Sequence, residues 1–147
     1  MNRSATAIIS AAHLSEVQAI AIYEAEVFFI RKPERRALLK SILQEEKDHD
    51  AGLSEWAQHS AVSLKMNRAL GLTLGTALSL LPWKILCHVQ AWAEDQAADI
   101  YANALRELSA QTEAVDPSIT EALTHAEMQE REHAQRFRSL TRETKPE

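Results

Sequence analysis

The sequence is poor in the residues that interrupt regular secondary structure. Its 147 residues include only 3 glycines and 4 prolines, which favours a few long helices over many short strands joined by turns. Aromatic residues make up 5% of the chain, apolar residues 46% and charged residues 25%. This composition predicts one water-soluble helical domain, long enough to bury about two-thirds of its extended surface.

Three further absences narrow the function. The single cysteine, Cys87, excludes an internal disulfide and favours a reducing, cytoplasmic location. The net charge of −5 lacks a basic excess, so no nucleic-acid partner is expected. The longest uncharged run, residues 69–83, is shorter than the ~20 residues of a membrane-spanning helix. The apolar residues 5–12 are interpreted as the start of the first helix and not as a signal peptide.

One pattern occurs twice in the chain. Residues 16–23 read EVQAIAIY and residues 94–101 read EDQAADIY, so both have the form Glu-x-Gln-Ala-x-x-Ile-Tyr. Each copy is followed by a Glu-x-x-His motif, at residues 46–49 and at residues 130–133. The chain is therefore interpreted as two diverged halves with an internal two-fold pseudo-repeat. Each half supplies one glutamate and then one Glu-x-x-His.

Four helical stripes organise the sequence. Side chains three and four residues apart share one face of a helix, and each stripe is apolar except where it carries the glutamates and histidines of the repeat. Helix starts are predicted at Pro33 and, with Asp116 as N-cap, at Pro117. The prediction is an all-α, ferritin-like four-helix bundle with a long crossover between helices 2 and 3, which runs along the bundle either as a helix or as an extended segment. Its parts are one domain over 1–147, a helix hairpin over 5–58, the crossover over 59–83 and a hairpin over 84–142.

The acids and histidines of both halves are also predicted to lie at one level of the bundle. Residues equidistant from a hairpin turn lie side by side, and the midpoints between each glutamate and its partner motif fall at residues 31–32 and near Glu113. Burying unpaired charge is costly, and two divalent cations would balance four carboxylates. The residues predicted to bind these cations are Glu16, Glu46, His49, Glu94, Glu130 and His133.

This ligand set is typical of ferritin-like di-iron or di-manganese bundles, in which two helices supply a glutamate and two supply Glu-x-x-His. Two iron ions (Fe²⁺/Fe³⁺) are the predicted cofactor, and manganese or zinc is compatible with the same oxygen and nitrogen ligands. Four nearby glutamates are alternative ligands by their proximity, but they fall off the stripes, so the prediction is that they belong to the solvated helix surface. They are Glu24, Glu26, Glu45 and Glu127.

Four other side chains are candidates for bordering the metal site or holding its ligands. His13 lies one turn before Glu16, where it either supports that ligand or is a partly buried polar residue. Tyr23 and Tyr101 lie two turns from the glutamates of helices 1 and 3, and either border a cavity or pack in the core. Trp92 is most simply core packing, with a pocket-lining role as the alternative.

Five segments together carry a family resemblance. They are His13-Leu14-Ser15-Glu16 with Ile22-Tyr23, Glu45-Glu46-Lys47-Asp48-His49, the glycine-containing apolar residues 70–78, Ala93-Glu94-Asp95 with Tyr101, and Glu130-Arg131-Glu132-His133. With them the chain resembles the demethoxyubiquinone hydroxylase family of ubiquinone biosynthesis over nearly its whole length. The resemblance implies the same six metal ligands as the stripes select.

The resemblance also implies an oxygen-dependent di-iron monooxygenase that hydroxylates a hydrophobic quinone ring, using O₂ and an external reductant. Two alternatives stay open: a ferroxidase or iron-handling bundle with the same ligands, and a metal-stabilised structural or partner-binding bundle. Residues 69–83 either contact the inner face of a membrane peripherally or pack against the bundle or a second copy of the chain. Packing against a second copy would make the protein a homo-oligomer.

Overall fold

The computed structural model describes residues 3–111 and 115–143. These residues form five helices and no strand: α1 (Arg3–Phe29), α2 (Pro33–Ser54), α3 (Ala61–Leu78), α4 (Trp83–Ser109) and α5 (Pro117–Glu143). The predicted all-α class is therefore confirmed, with one helix more than the four predicted. Glu113, at the predicted second turn, lies outside the described residues, as do residues 1–2 and 144–147 of the predicted domain.

The helix starts follow from local chemistry. Pro33 occupies the first turn of α2, where its missing N–H leaves no carbonyl unpaired. Before α5, the carboxylate of Asp116 accepts hydrogen bonds from the backbone N of Ser118 at 3.0 Å and from its Oγ at 2.6 Å. Both bonds lower the pKa of Asp116. The acid thus satisfies one of the free N–H groups at the start of the helix.

Four helices, α1, α2, α4 and α5, surround the core, and α3 lies outside it. α1 packs against α2 and α4, and α5 packs against the same two helices, while α3 packs on α1 alone among the principal contacts of the described residues. Two apolar clusters fill the core, one around Ile9, Leu53 and Leu123, and the other around Tyr23 and Phe137. On each of the four core helices, the predicted metal ligands lie between residues of these two clusters. The polar layer is therefore enclosed by apolar layers at both ends.

The predicted crossover is largely the helix α3. Its N-cap is Ser60, whose side chain accepts a hydrogen bond from the backbone N of Ser63 at 3.0 Å. Gly71 and Gly75 are buried against α1, where an added Cβ would clash with the backbone carbonyl oxygens of Gln18 and Ile22. The two helices therefore approach so closely that only glycine fits at these two positions.

The rest of the segment 69–83 keeps much of its apolar surface exposed. Its exposed leucines are Leu70, Leu72, Leu74, Leu80 and Leu81. The uncharged composition is thus only partly explained by packing on the bundle. Among the described residues, α1 and not α3 is the helix whose length and composition would allow it to cross a bilayer, over Ser4–Phe29. In the structure, α1 packs against α3 and against the two core helices α2 and α4.

Candidate metal centre

The structure brings the six predicted ligand residues together in one buried layer. Each of them is at most 5% exposed. They form two overlapping groups, within each of which the ligand atoms all lie within 4.8 Å of one another. One group contains Glu16 and His49, the other contains Glu94 and His133, and Glu46 and Glu130 belong to both. Two shared carboxylates between two sets of terminal ligands suit a pair of adjacent cations.

The atoms in this layer converge without satisfying one another. His49 Nδ1 lies 3.3 to 3.8 Å from carboxylate oxygens of three glutamates, and His133 Nδ1 lies 3.3 to 3.5 Å from those of three. The following buried atoms have no hydrogen-bond partner among the described residues: both Nδ1 atoms, Glu16 Oε2, and both carboxylate oxygens of Glu46 and of Glu130. Buried polar atoms are normally satisfied, so this convergence fits divalent cations bound between them.

The electrostatics of the layer also favour positive charge at its centre. Burial, followed by repulsion from Glu46, raises the pKa of Glu16. Burial also raises the pKa of Glu94. Burial alone would lower the pKa of His133, but the attraction of the nearby carboxylates of Glu130, Glu46 and Glu94 outweighs it and raises the pKa to about 12. A group of carboxylates that attracts protons this strongly also attracts metal cations.

Both histidines are held from outside the layer through their second ring nitrogen. His49 Nε2 lies 2.8 Å from the amide oxygen of Gln129, and His133 Nε2 lies 2.6 Å from Glu45 Oε2. When Nε2 donates to these oxygens, Nδ1 is left as the acceptor that a metal requires. Glu45 also accepts a hydrogen bond from Arg136 Nη1 at 3.0 Å. These two bonds outweigh partial burial and lower the pKa of Glu45.

The prediction that Glu45 is merely solvated is therefore wrong. Its carboxylate is only partly exposed, and it bonds to a ligand histidine of another helix. Glu45 directly precedes Glu46, which turns it toward α5 and away from the centre of the layer. A stripe counted along α2 alone cannot reveal this partner, because the contact depends on the neighbouring helix.

The two tyrosines occupy different positions. The hydroxyl of the buried Tyr23 donates a hydrogen bond to Glu94 Oε1, so this residue supports a ligand directly. Its ring stacks on Phe137, with centroids 6.5 Å apart. Tyr101 is fully buried in an apolar cluster, and its ring meets His49 edge-on at a centroid distance of 6.4 Å. Tyr23 thus borders a cavity and also packs in a core cluster, whereas Tyr101 packs in the other core cluster.

The other two candidates lie away from the ligands. His13 Nε2 is 3.0 Å from Asp50 Oδ1, and its ring stacks on His59 at 4.9 Å. His13 is thus a buried polar residue paired to α2. Trp92 is 64% exposed, so the prediction that it packs in the core is wrong, and it is not among the residues that line the two cavities beside the ligands. It lies two residues before Glu94, about 200° around the helix, and so points outward.

The prediction that Glu26 is solvated is also wrong. Glu26 is fully buried, and its Oε1 accepts a hydrogen bond from Gln90 Nε2 at 2.6 Å. Burial raises the pKa of Glu26 to about 8, although the bond from Gln90 acts in the opposite direction. Glu26 lies three residues after Tyr23 and therefore shares its helix face.

Two cavities adjoin the layer from opposite sides. A small one of about 60 Å³ lies between α1 and α4, where Ala19, Ala93 and Ala97 line it together with the ligands. A larger cleft of about 360 Å³ lies between α2 and α5 and reaches His49. Its lining includes the polar side chains of Asp48, Ser118, Glu121 and His125. The narrow cavity is thus lined by alanines beside the ligands, whereas several polar side chains line the wider one.

Comparison with known proteins gives one family match. The family model of the ubiquinone biosynthesis protein COQ7 matches residues 3–146, a range that contains both halves of the repeat and α3. No curated protein and no solved structure matches the chain significantly.

Proposed function

The chain belongs to the COQ7 family of ubiquinone biosynthesis proteins, and from this we propose that it is a di-iron, oxygen-dependent monooxygenase that hydroxylates a hydrophobic quinone ring. One observation carries the proposal: the two ligand groups share Glu46 and Glu130. Shared carboxylates allow two metal ions to lie side by side, and mixed carboxylate and imidazole ligands suit iron. The ferritin-like arrangement of the four core helices is part of the same proposal.

Bound iron supplies the oxygen-activating redox chemistry, with electrons from an external reductant. The residues of the chain hold and orient the ligands. Gln129 and Glu45 fix the imidazoles of His49 and His133, and Tyr23 fixes Glu94 by its hydroxyl. Apolar clusters on both sides of the layer exclude bulk water from it.

The substrate reaches the centre between α1 and α4 in this proposal. The seam there is lined by three alanines, which leave more room than larger side chains would. The cavity of about 60 Å³ holds roughly two water molecules by their liquid volume. A quinone ring is larger than this, so α1 and α4 must move apart before it can enter. The exposed leucines of segment 69–83 lie on the outer side of α1. Peripheral contact of these leucines with a membrane would present a greasy substrate beside the seam.

The central experiment loads the protein with ferrous iron and supplies reductant, O₂ and a short-tailed quinone analogue. The expected result is O₂ consumption that depends on the quinone, with one labelled oxygen atom recovered in the ring. Glu46→Ala and Glu130→Ala should each lose metal and turnover together, because both residues serve both ligand groups. Full two-metal occupancy in both variants would contradict the assignment of the centre.

A ferroxidase is the second candidate, and the polar cleft favours it. Asp48, Glu121 and His125 give ferrous iron a hydrophilic approach that ends at His49. In that case O₂ is consumed in proportion to the iron oxidised, and quinone has no effect. Glu121→Gln with His125→Ala should then slow iron oxidation, whereas quinone hydroxylation by preloaded protein should be insensitive to both changes.

The membrane contact is tested by placing charge on the exposed leucines. Leu74→Glu with Leu80→Glu should weaken binding to liposomes and turnover of a long-tailed quinone, while iron content is unchanged. Met128→Glu is the matched control, because Met128 is also exposed but lies on α5. Equal liposome binding by parent and double variant would exclude this surface as the membrane contact.

A further inference from the structure

Glu26 is a buried acid that the ligand set does not use. One of its oxygens, Oε1, accepts a hydrogen bond from Gln90 Nε2 at 2.6 Å. The other oxygen, Oε2, is buried without a hydrogen-bond partner among the described residues. An ionised carboxylate is costly in such a place, whereas a protonated one carries its proton on the unpaired oxygen. Gln90 therefore orients a carboxylic acid whose O–H is not engaged elsewhere.

The position of this acid connects it to the metal centre without making it a ligand. Gln90 lies one helical turn before Glu94, and both residues line the small cavity between α1 and α4. Tyr23 lines the same cavity, and the charge of Glu26 acts on its hydroxyl. The acid is thus one side chain away from a space that holds roughly two waters by volume.

Few ionisable groups face Glu26. Tyr23 on its own helix and Cys87 on α4 are within electrostatic reach, and Arg35 on α2 acts in turn on Cys87. Within the described part of the chain, burial and the bond from Gln90 set the pKa of Glu26, with no contribution from a charged group of α2, α3 or α5. The protonation state of Glu26 is therefore controlled by its apolar surroundings.

We propose that Glu26 is the internal proton donor of the monooxygenase reaction, delivering one proton per turnover through water in the cavity lined by Gln90 and Tyr23. The proposal rests on the proposed function. Inserting one atom of O₂ into a ring C–H bond and releasing the other as water takes two electrons from the external reductant and two protons. Glu26 supplies one of these protons: its O–H bond breaks, and a new O–H bond forms on the oxygen that leaves as water. Solvent returns the proton between turnovers.

A purely structural role does not account for an acid at this position. Glutamine or leucine would fill the same volume without the cost of a buried ionisable group. Functional sites commonly accept such a loss of stability, because a group that donates a proton needs a pKa near the working pH.

The first test detects the proton itself and does not depend on activity. Infrared difference spectra of the metal-loaded protein, recorded across a pH titration, should contain the carbonyl stretch of a protonated carboxylic acid at neutral pH. That band should disappear near pH 8, where the pKa of Glu26 lies, and should be missing from Glu26→Gln. Identical spectra for parent and variant would overturn the proposal, because the acid would then be ionised.

The second test separates proton supply from structure. Glu26→Gln keeps the acceptor for Gln90 but cannot give up a proton, so kcat should fall by about 10²-fold, in the range of general acid catalysis. Iron content and KM should stay at parental values, and the solvent deuterium isotope effect should increase. Glu26→Asp should keep more activity than Glu26→Gln. Formate should restore turnover to Glu26→Ala in a concentration-dependent way.

Parental kcat in Glu26→Gln would refute the proton-donor role, as would equal losses in the Gln and Asp variants without rescue by formate. Failure of the proposed function looks different. In that case the parent itself hydroxylates no quinone, while the infrared band of Glu26 is still present.

Discussion

Replacing Glu26 by glutamine should make the stability of the protein less dependent on pH. In the unfolded chain this carboxyl ionises near its ordinary pKa of 4.5, whereas in the folded protein it keeps its proton up to about pH 8. Between these two values the folded state binds more protons than the unfolded state. The free energy of unfolding of the parent therefore falls as the pH rises through this window, and the contribution becomes constant above it.

The magnitude follows from the distance between the two pKa values. Each pH unit of difference corresponds to about 1.4 kcal/mol, so ordinary and folded values of 4.5 and about 8 correspond to roughly 5 kcal/mol at full ionisation. Between about pH 5 and pH 8 the expected part of this effect is roughly 3 kcal/mol. Glutamine at position 26 does not ionise. The free energy of unfolding of the variant should therefore rise relative to that of the parent by this amount over that interval.

The measurement is denaturant unfolding of metal-saturated parent and Glu26→Gln at both pH values. Titration of the metal ligands affects both proteins alike and cancels in the comparison. Glu107→Gln, at an exposed position of α4, is the control and should follow the parent at each pH. If the parent and Glu26→Gln curves run parallel as well, the carboxyl is solvated in solution, and the reasoning from its burial fails.

Three further outcomes are expected. Gly71→Ala and Gly75→Ala should each lower the thermal midpoint, because the new Cβ meets the backbone of α1. Gly52→Ala is the control: its Cβ would have nothing within 4 Å, so this change should raise the free energy of unfolding by about 0.5–1 kcal/mol. Equal effects at all three glycines would mean that α3 does not pack closely on α1. Glu45→Ala should weaken metal affinity by roughly 10–100-fold in a competition titration, while Glu127→Ala should not; unchanged affinity would show that the bond to the ligand histidine is dispensable. Adding iron to about 100 times its dissociation constant should stabilise the chelator-stripped protein by roughly 3 kcal/mol in unfolding experiments, and no gain at demonstrated occupancy would argue against a buried centre.

The sequence pattern predicts the four core helices because their apolar residues recur at helical spacing and because Pro33 and Pro117 mark two of the starts. It also selects the six side chains that the structure brings into one layer, since a charged residue inside an apolar stripe faces the core and needs a partner there. For the crossover that contains α3, the sequence leaves open whether the segment is helical. Its two glycines and the absence of charge from residue 69 onward do not distinguish a helix from an extended crossover, and its packing depends on how closely α1 approaches.

The two glutamates that the stripes misassign show a different limit. Glu26 and Glu45 lie beside the counted stripes, and each is held by a partner on another helix, Gln90 on α4 and His133 on α5. A stripe describes one face of one helix, whereas a core helix contacts two or three neighbours. Which off-stripe acid is buried therefore depends on helix pairing, and periodicity does not encode that pairing.

The outward bonds of the two ligand histidines make the halves of the pseudo-repeat unequal. His49 is backed by the neutral amide of Gln129, whereas His133 is backed by the carboxylate of Glu45, which Arg136 holds in turn. A carboxylate behind an imidazole makes its ring nitrogen more basic and a stronger electron donor than an amide does. The end of the centre nearest His133 is therefore the more electron-rich one. If two cations bind as proposed, residues that are not ligands make their two positions unequal.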